Sequence, residues 1–140
     1  MKKLNLLIVC FCLFLTIAGT FSCKKSSTDD SNTINVSGDW KGTAILPTET
    51  DNVTLSLTQS GTNITGTFTQ AGTSDPNNNG TVSGTISGSN ITLTSVSSVY
   101  SGGSSLNATV NSSGTSMSGN FTSQYTGAPS ISGTWSLTKN

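Results

Sequence analysis

Histidine and arginine are both missing from this sequence of 140 residues; its six basic residues are all lysines, set against six acidic ones. Without histidine there is no Ser-His-Asp or Cys-His catalysis and no imidazole to hold a metal. Without arginine there is no bidentate clamp for phosphate or carboxylate. A formal net charge of zero excludes a nucleic-acid partner that is held by electrostatics. Strong helix formers are scarce, and no stretch shows a 3.6-residue hydrophobic period. The length allows one folded domain.

What the sequence does contain begins with an address. Lys2 and Lys3 precede an apolar run from Leu4 to Ala18, interrupted only by Asn5 and Thr16. The run is short for a membrane span but fits a secretory signal. It ends in Gly19-Thr20-Phe21-Ser22-Cys23, which resembles a bacterial lipobox, with Thr20 and Phe21 in place of the usual Leu-Ala or Leu-Ser. The resemblance implies cleavage after residue 22 and acylation of Cys23. Cys10 and Cys12 would leave with the signal, so no intramolecular disulfide can form in the remainder. Residues 23–34 then read as the lipidated Cys and a flexible polar tether, and 35–140 as the folded domain. Lys24 directly after the Cys is similar to the pattern of lipoproteins sorted to the outer membrane. Lys25 near Asp29-Asp30 loosely resembles the surface-export signal of Bacteroidota lipoproteins, or is a plain solvated linker. The expected membrane contact is through the N-terminal lipid, with the periplasmic or surface side open.

From Val36 onward apolar residues stand at every second position among Thr, Ser, Gly and Asn. Val53-Leu55-Leu57, Val82-Gly84-Ile86 and Gly133-Trp135-Leu137 are examples. Eight such segments are separated by turn signals, among them Ser60-Gly61-Thr62 and Gly88-Ser89, and no crossover helix intervenes. The pattern predicts an all-β, antiparallel, eight-stranded up-and-down barrel, with a two-sheet β-sandwich as the alternative. About 105 residues, or about 13 per strand and turn, suit a small barrel. A Gly lies two places before a large apolar residue in Gly38-Asp39-Trp40, Gly66-Thr67-Phe68, Gly84-Thr85-Ile86, Gly119-Asn120-Phe121 and Gly133-Thr134-Trp135. Glycine inside a strand marks sharp coiling or close backbone approach, both of which closure requires. The apolar segments run to 5–8 residues, shorter than the roughly 9–11 that cross a bilayer, and there are no aromatic girdles. The apolar face is therefore expected to point inward. It places Trp40, Leu55, Leu57, Phe68 and Ile86 in the interior, together with Leu93, Met117, Phe121 and Trp135. The small inward residues Gly42, Ala44, Gly66, Gly84, Ser95, Ala108 and Gly119 are expected to leave volume near one end.

Gly38-Asp39-Trp40 resembles the Gly-x-Trp that opens lipocalins and avidins, and the hairpin Gly61 to Phe68 is avidin-like. The resemblance implies a barrel whose floor is closed by Trp40. The further tryptophans of an avidin biotin site have no counterpart except Trp135, so biotin is not the expected ligand.

Chemistry-bearing residues are few. Asp39 and Lys41 flank Trp40 on the outer face as a weak surface pair. Glu49 and Asp51 read as residues of one solvated loop, and Asp75-Pro76-Asn77-Asn78-Asn79 as a turn cluster. No calcium pattern surrounds them, so no metal and no cofactor are expected. The many Ser and Thr have no accompanying base, which argues against catalysis. Three functions are compatible with a barrel of this kind: binding a small apolar ligand in the interior or mouth, binding or inhibiting an envelope protein, and a passive lipid-anchored spacer.

Overall fold

The protein is seen in a computed structural model that describes residues 34–72, 74 and 76–140. The signal segment 1–22, Cys23 and the tether up to residue 33 lie outside the described residues, as does Asp75.

Eight strands follow one another: β1 (Gly38–Ile45), β2 (Thr50–Ser60), β3 (Asn63–Ala71), β4 (Asn78–Ser87), β5 (Asn90–Ser97), β6 (Gly102–Val110), β7 (Ser116–Tyr125) and β8 (Ile131–Lys139). Each pairs antiparallel with the next, and β8 pairs with β1 to close the ring. That last ladder, from Trp40 opposite Lys139 to Ile45 opposite Thr134, decides between barrel and sandwich. The fold is an all-β closed barrel, with no helix among the described residues.

The strands are longer than the apolar segments alone indicate, at 8–11 residues. Polar stretches such as Thr50-Asp51-Asn52 and Asn78-Asn79 continue the ladders. Strand length therefore does not speak against a membrane barrel, contrary to expectation; side-chain placement is the better guide. Apolar residues of the ladders point into the lumen, while the outward positions are mostly Thr, Ser and Asn.

Two tight hairpins, at Gly61-Thr62 and Gly88-Ser89, each start on a glycine with φ near +60° (60° and 58°) and no positive φ at the residue that follows. This is the turn geometry whose twist matches that of paired strands. Asn111 holds the β6–β7 turn, its Oδ1 accepting from the N–H groups of Thr115 (2.8 Å) and Ser116 (3.1 Å).

The inward glycines are where neighbouring backbones come closest. A Cβ at Gly42 would stand 1.9 Å from Ser136 O, and one at Gly119 1.8 Å from Asn107 O. Gly66 and Gly84 are equally tight against Ser56 and Thr92. These positions supply the coiling that closes eight strands into a cylinder. They are filled by backbone, which corrects the expectation that they leave open volume.

One end of the barrel is sealed. Trp40, Ile64 and Leu93 are fully buried there, as are Ile86, Ile91, Val110, Met117 and Leu137 to within 2%. The chain entering β1 lies across this end, with Val36 also at 0% exposure. Trp40 Nε1 donates to Val36 O at 2.9 Å, so the indole has its one donor satisfied. Val36 N–H donates to Gln59 Oε1, and Gln59 N–H to Ser37 Oγ, both at 2.9 Å. Lys139 Nζ sits 5.6 Å from the Trp40 ring centroid and donates to Asn35 O. Trp40 thus stands in the barrel floor.

Candidate functional site

The other end is built differently, and the strand phase explains why. The residues in step with the inward apolar positions become polar toward the start of β2, β4 and β6 and the ends of β3, β5 and β7. Asp51 is in phase with Val53 and Leu55, Gln70 with Phe68, Asn78 with Val82, Ser95 with Leu93, Ser104 with Leu106, and Ser123 with Phe121. They form a polar upper wall above an apolar lower one.

Between these walls lies an interior cavity of about 50 Å³ to which all eight strands contribute. Its apolar part is Leu55, Phe68, Val82, Leu106, Phe121 and Trp135, with Ala44 and Val53 beside them. Its polar part is Gln70, Ser95, Ser104 and Ser123. Phe68 and Phe121 lie over glycines: a Cβ at Gly80 would meet Phe68 Cε1 at 2.8 Å, and one at Gly133 would meet Phe121 Cε1 and Cζ at 2.7 Å. The absent side chains leave room for both rings against the wall. Trp135 is 4% exposed, and its Nε1 donates to Asn120 O at 3.3 Å.

The polar upper wall is ordered by its own hydrogen bonds. Ser95, Ser104 and Ser123 are direct cross-strand partners on β5, β6 and β7. Ser104 and Ser123 share a hydroxyl–hydroxyl bond of 2.7 Å, and Ser104 N–H donates to Ser95 Oγ at 3.1 Å. Across the lumen, Gln70 Nε2 donates to Asp51 Oδ2 at 2.5 Å. Asp51 Oδ1 is buried with no hydrogen-bond partner and lies against Gly72, where a Cβ would meet it at 1.9 Å. Nearer the rim, Asn78 Nδ2 donates to Tyr125 Oη (3.2 Å), Asn78 Oδ1 accepts from Ser97 Oγ (2.8 Å), and Tyr125 meets Tyr100 edge to face.

Two sequence readings are corrected here. Asp51 is not a solvated loop residue beside Glu49: it is 2% exposed on the inward face of β2. Glu49 does lie in the link before that strand, and its Oε2 accepts from Ser74 N–H at 2.9 Å. Asn78 is likewise 2% exposed on β4 rather than part of a surface turn. Both misreadings come from taking polarity as a sign of loop. The signal that identifies them is period-2 phase, which runs from Val53 back to Asp51 without a break. Asp39 and Lys41 stand exposed on the outer face.

The nine interior candidates divide between the two ends. Leu55, Phe68, Phe121 and Trp135 border the cavity. Trp40, Leu57, Ile86, Leu93 and Met117 are buried but do not line it. Among the described residues no cluster of three or more His, Cys, Asp or Glu is placed to hold a metal ion.

No family model matches the chain, and no curated protein matches it in sequence. Solved structures do resemble it. One is EF1p2_mFAP2b bound to DFHBI, with a TM-score of 0.66 and 11% identity over 75% of this chain and 94% of that one. Another is a de novo designed fluorescence-activating β-barrel, with a TM-score of 0.53 and 16% identity over 80% of this chain and 99% of that one. At these identities the likeness is one of fold alone, a β-barrel, which in this chain is a closed ring of eight antiparallel strands.

Proposed function

We propose that this protein is a non-catalytic binder of a small, largely apolar ligand, taken up at the polar-rimmed end of the barrel, and that it is carried on the outer membrane by a lipid on Cys23. The observation that carries the binding reading is the cavity itself, which is mostly apolar with a few convergent polar groups, as ligand sites are. A cavity of about 50 Å³ has room for about three water molecules. A ligand would therefore place one apolar end inside and keep its remainder at the mouth. That a barrel of the same fold holds DFHBI supports the reading.

The non-catalytic part rests on composition: the serines of the cavity have no histidine to activate them. The anchoring part rests on the sequence before residue 24. Native mass spectrometry of the purified full chain, with tryptophan quenching by a panel of small apolar compounds, tests the binding. A bound species and saturable quenching are expected; neither one across the panel would overturn it. Mass analysis of membrane-extracted protein tests the anchor, which requires acyl mass on a chain that begins at Cys23.

A second reading, docking of an envelope protein, has one observation in its favour. The exposed large apolar residues Val96, Val99 and Tyr100 gather where β5 leads into β6, at the same end as the cavity. Substituting all three with Ser would abolish recovery of a specific partner if this reading holds, and leave small-ligand quenching intact.

A further inference from the structure

The hydroxyls of Ser95, Ser104 and Ser123 have more donor capacity than the protein uses. Each carries one proton. One is spent between Ser104 and Ser123, whichever of them donates. Ser95 Oγ accepts from the Ser104 N–H and donates to no described group. Three protons less one leaves two without an acceptor among the described protein groups. Ser95 is 7% and Ser123 8% exposed, Ser104 is half-buried, and all three line the cavity, so whatever fills it, water or ligand, is what must accept from them. A buried donor without a partner costs about 1–3 kcal/mol, so a row of them across three adjacent strands is a place where an acceptor atom belongs.

The surroundings define that acceptor's charge. β2 lies four strands from β6 in the ring, so the Gln70–Asp51 pair occupies the wall opposite the serines. Asp51 and Glu49 are the acidic residues of this end among the described residues. The two described lysines are elsewhere: Lys139 at the sealed end over Trp40, Lys41 on the outer face of β1. Among the described residues no cation compensates an anion brought into the cavity, and Asp51 lies next to it behind Gln70. Below the serines the cavity is aromatic and aliphatic.

We infer that the ligand presents a neutral hydrogen-bond acceptor, a carbonyl or ether oxygen borne on an apolar ring, and that Ser95, Ser104 and Ser123 form the subsite that receives it. The inference rests on the ligand-binding reading above and adds the polarity and charge of what is bound. It excludes fatty-acid and other carboxylate ligands.

Acetophenone, ethylbenzene and benzoate separate the terms, since they share one ring and differ at the acceptor. Their dissociation constants with the full chain are read from methyl NMR titrations. Acetophenone is expected to bind about tenfold more tightly than ethylbenzene, the worth of one net hydrogen bond, and benzoate more weakly than both. In Ser95→Ala/Ser123→Ala the acetophenone preference falls to about one while ethylbenzene binds as before. Ser95→Cys, a weaker donor of similar size, is expected to lower the preference in the same direction if the double variant does not fold. Equal binding of acetophenone and ethylbenzene, tighter binding of benzoate, or a preference that survives in the variants overturns the subsite and leaves the ligand-binding reading standing. Failure of all three compounds to bind up to their solubility overturns the subsite, and the ligand-binding reading falls with it only where the wider panel also gives no bound species and no quenching.

Discussion

Trp40 and Asp51 are the two single residues on which most depends, and they act in opposite directions. Trp40 is fully buried with its one polar atom satisfied, so it contributes apolar burial without an unmet cost. Trp40→Ala is expected to lose about 3–5 kcal/mol, and Trp40→Phe less, with the Val36 carbonyl left unpaired; urea unfolding curves measure both. Asp51 is buried with one carboxyl oxygen unpartnered. A buried charge in incomplete company is a liability to stability. Asp51→Asn, which keeps the shape and an oxygen for Gln70, is expected to raise stability at pH 7 by on the order of 1 kcal/mol. A fall in the urea midpoint would mean that the carboxylate is better satisfied than the geometry indicates. Trp40 was legible in the sequence, because a large apolar residue in a clean alternation can only point inward. Asp51 was not, because its chemistry speaks for a loop while its phase speaks for the lumen, and phase prevails once the β1–β2 ladder continues past it.

At the scale of the strands, the glycines do two separate jobs. Gly119 lies inside β7, where the neighbouring backbone leaves no room: a Cβ would stand 1.8 Å from Asn107 O and 2.6 Å from Ala108 Cα. Gly61 sits in a hairpin at φ 60° with open space around it. Alanine at Gly119 must push two paired strands apart, whereas alanine at Gly61 meets only the intrinsic cost of the left-handed backbone, about 1 kcal/mol. Gly119→Ala is expected to cost more than about 2 kcal/mol and Gly61→Ala about 1, measured by denaturant unfolding. Equal costs would show that β7 can shift to admit a side chain. The recurring glycine-then-large-residue spacing was visible in the sequence and pointed correctly to coiling. Which space the glycines occupy was not visible, because close approach is a property of two strands at once. The choice of barrel over sandwich has the same origin: every hairpin is local, but closure depends on β1 meeting β8 nearly a full domain away in sequence, and alternation within a strand carries no record of its distant neighbour.

For the molecule as a whole, the two ends of one cylinder have different roles, a packed floor that stabilises it and a partly open upper half with unspent hydrogen-bonding groups. Filling the cavity should therefore exchange function for stability. Ala44 lines the cavity at 6% exposure, opposite Trp135 in the β1–β8 ladder. Ala44→Val adds two carbons to that space. It is expected to stabilise the fold by about 1 kcal/mol, as cavity-filling changes commonly do, and to weaken acetophenone binding at least tenfold. Thermal unfolding and the NMR titration read the two effects, and a variant that is more stable yet binds as before would place the ligand elsewhere.

The most direct test is a methyl-resolved NMR titration of the full chain with acetophenone. If the upper half is the binding site, the methyl signals of Ala44, Val53, Leu55, Val82 and Leu106 shift together and saturate, while those of Val110, Met117 and Leu137 at the sealed end stay in place. Shifts confined to the sealed end or to Val96 and Val99 on the outside would contradict the account, as would no saturable shift at any methyl.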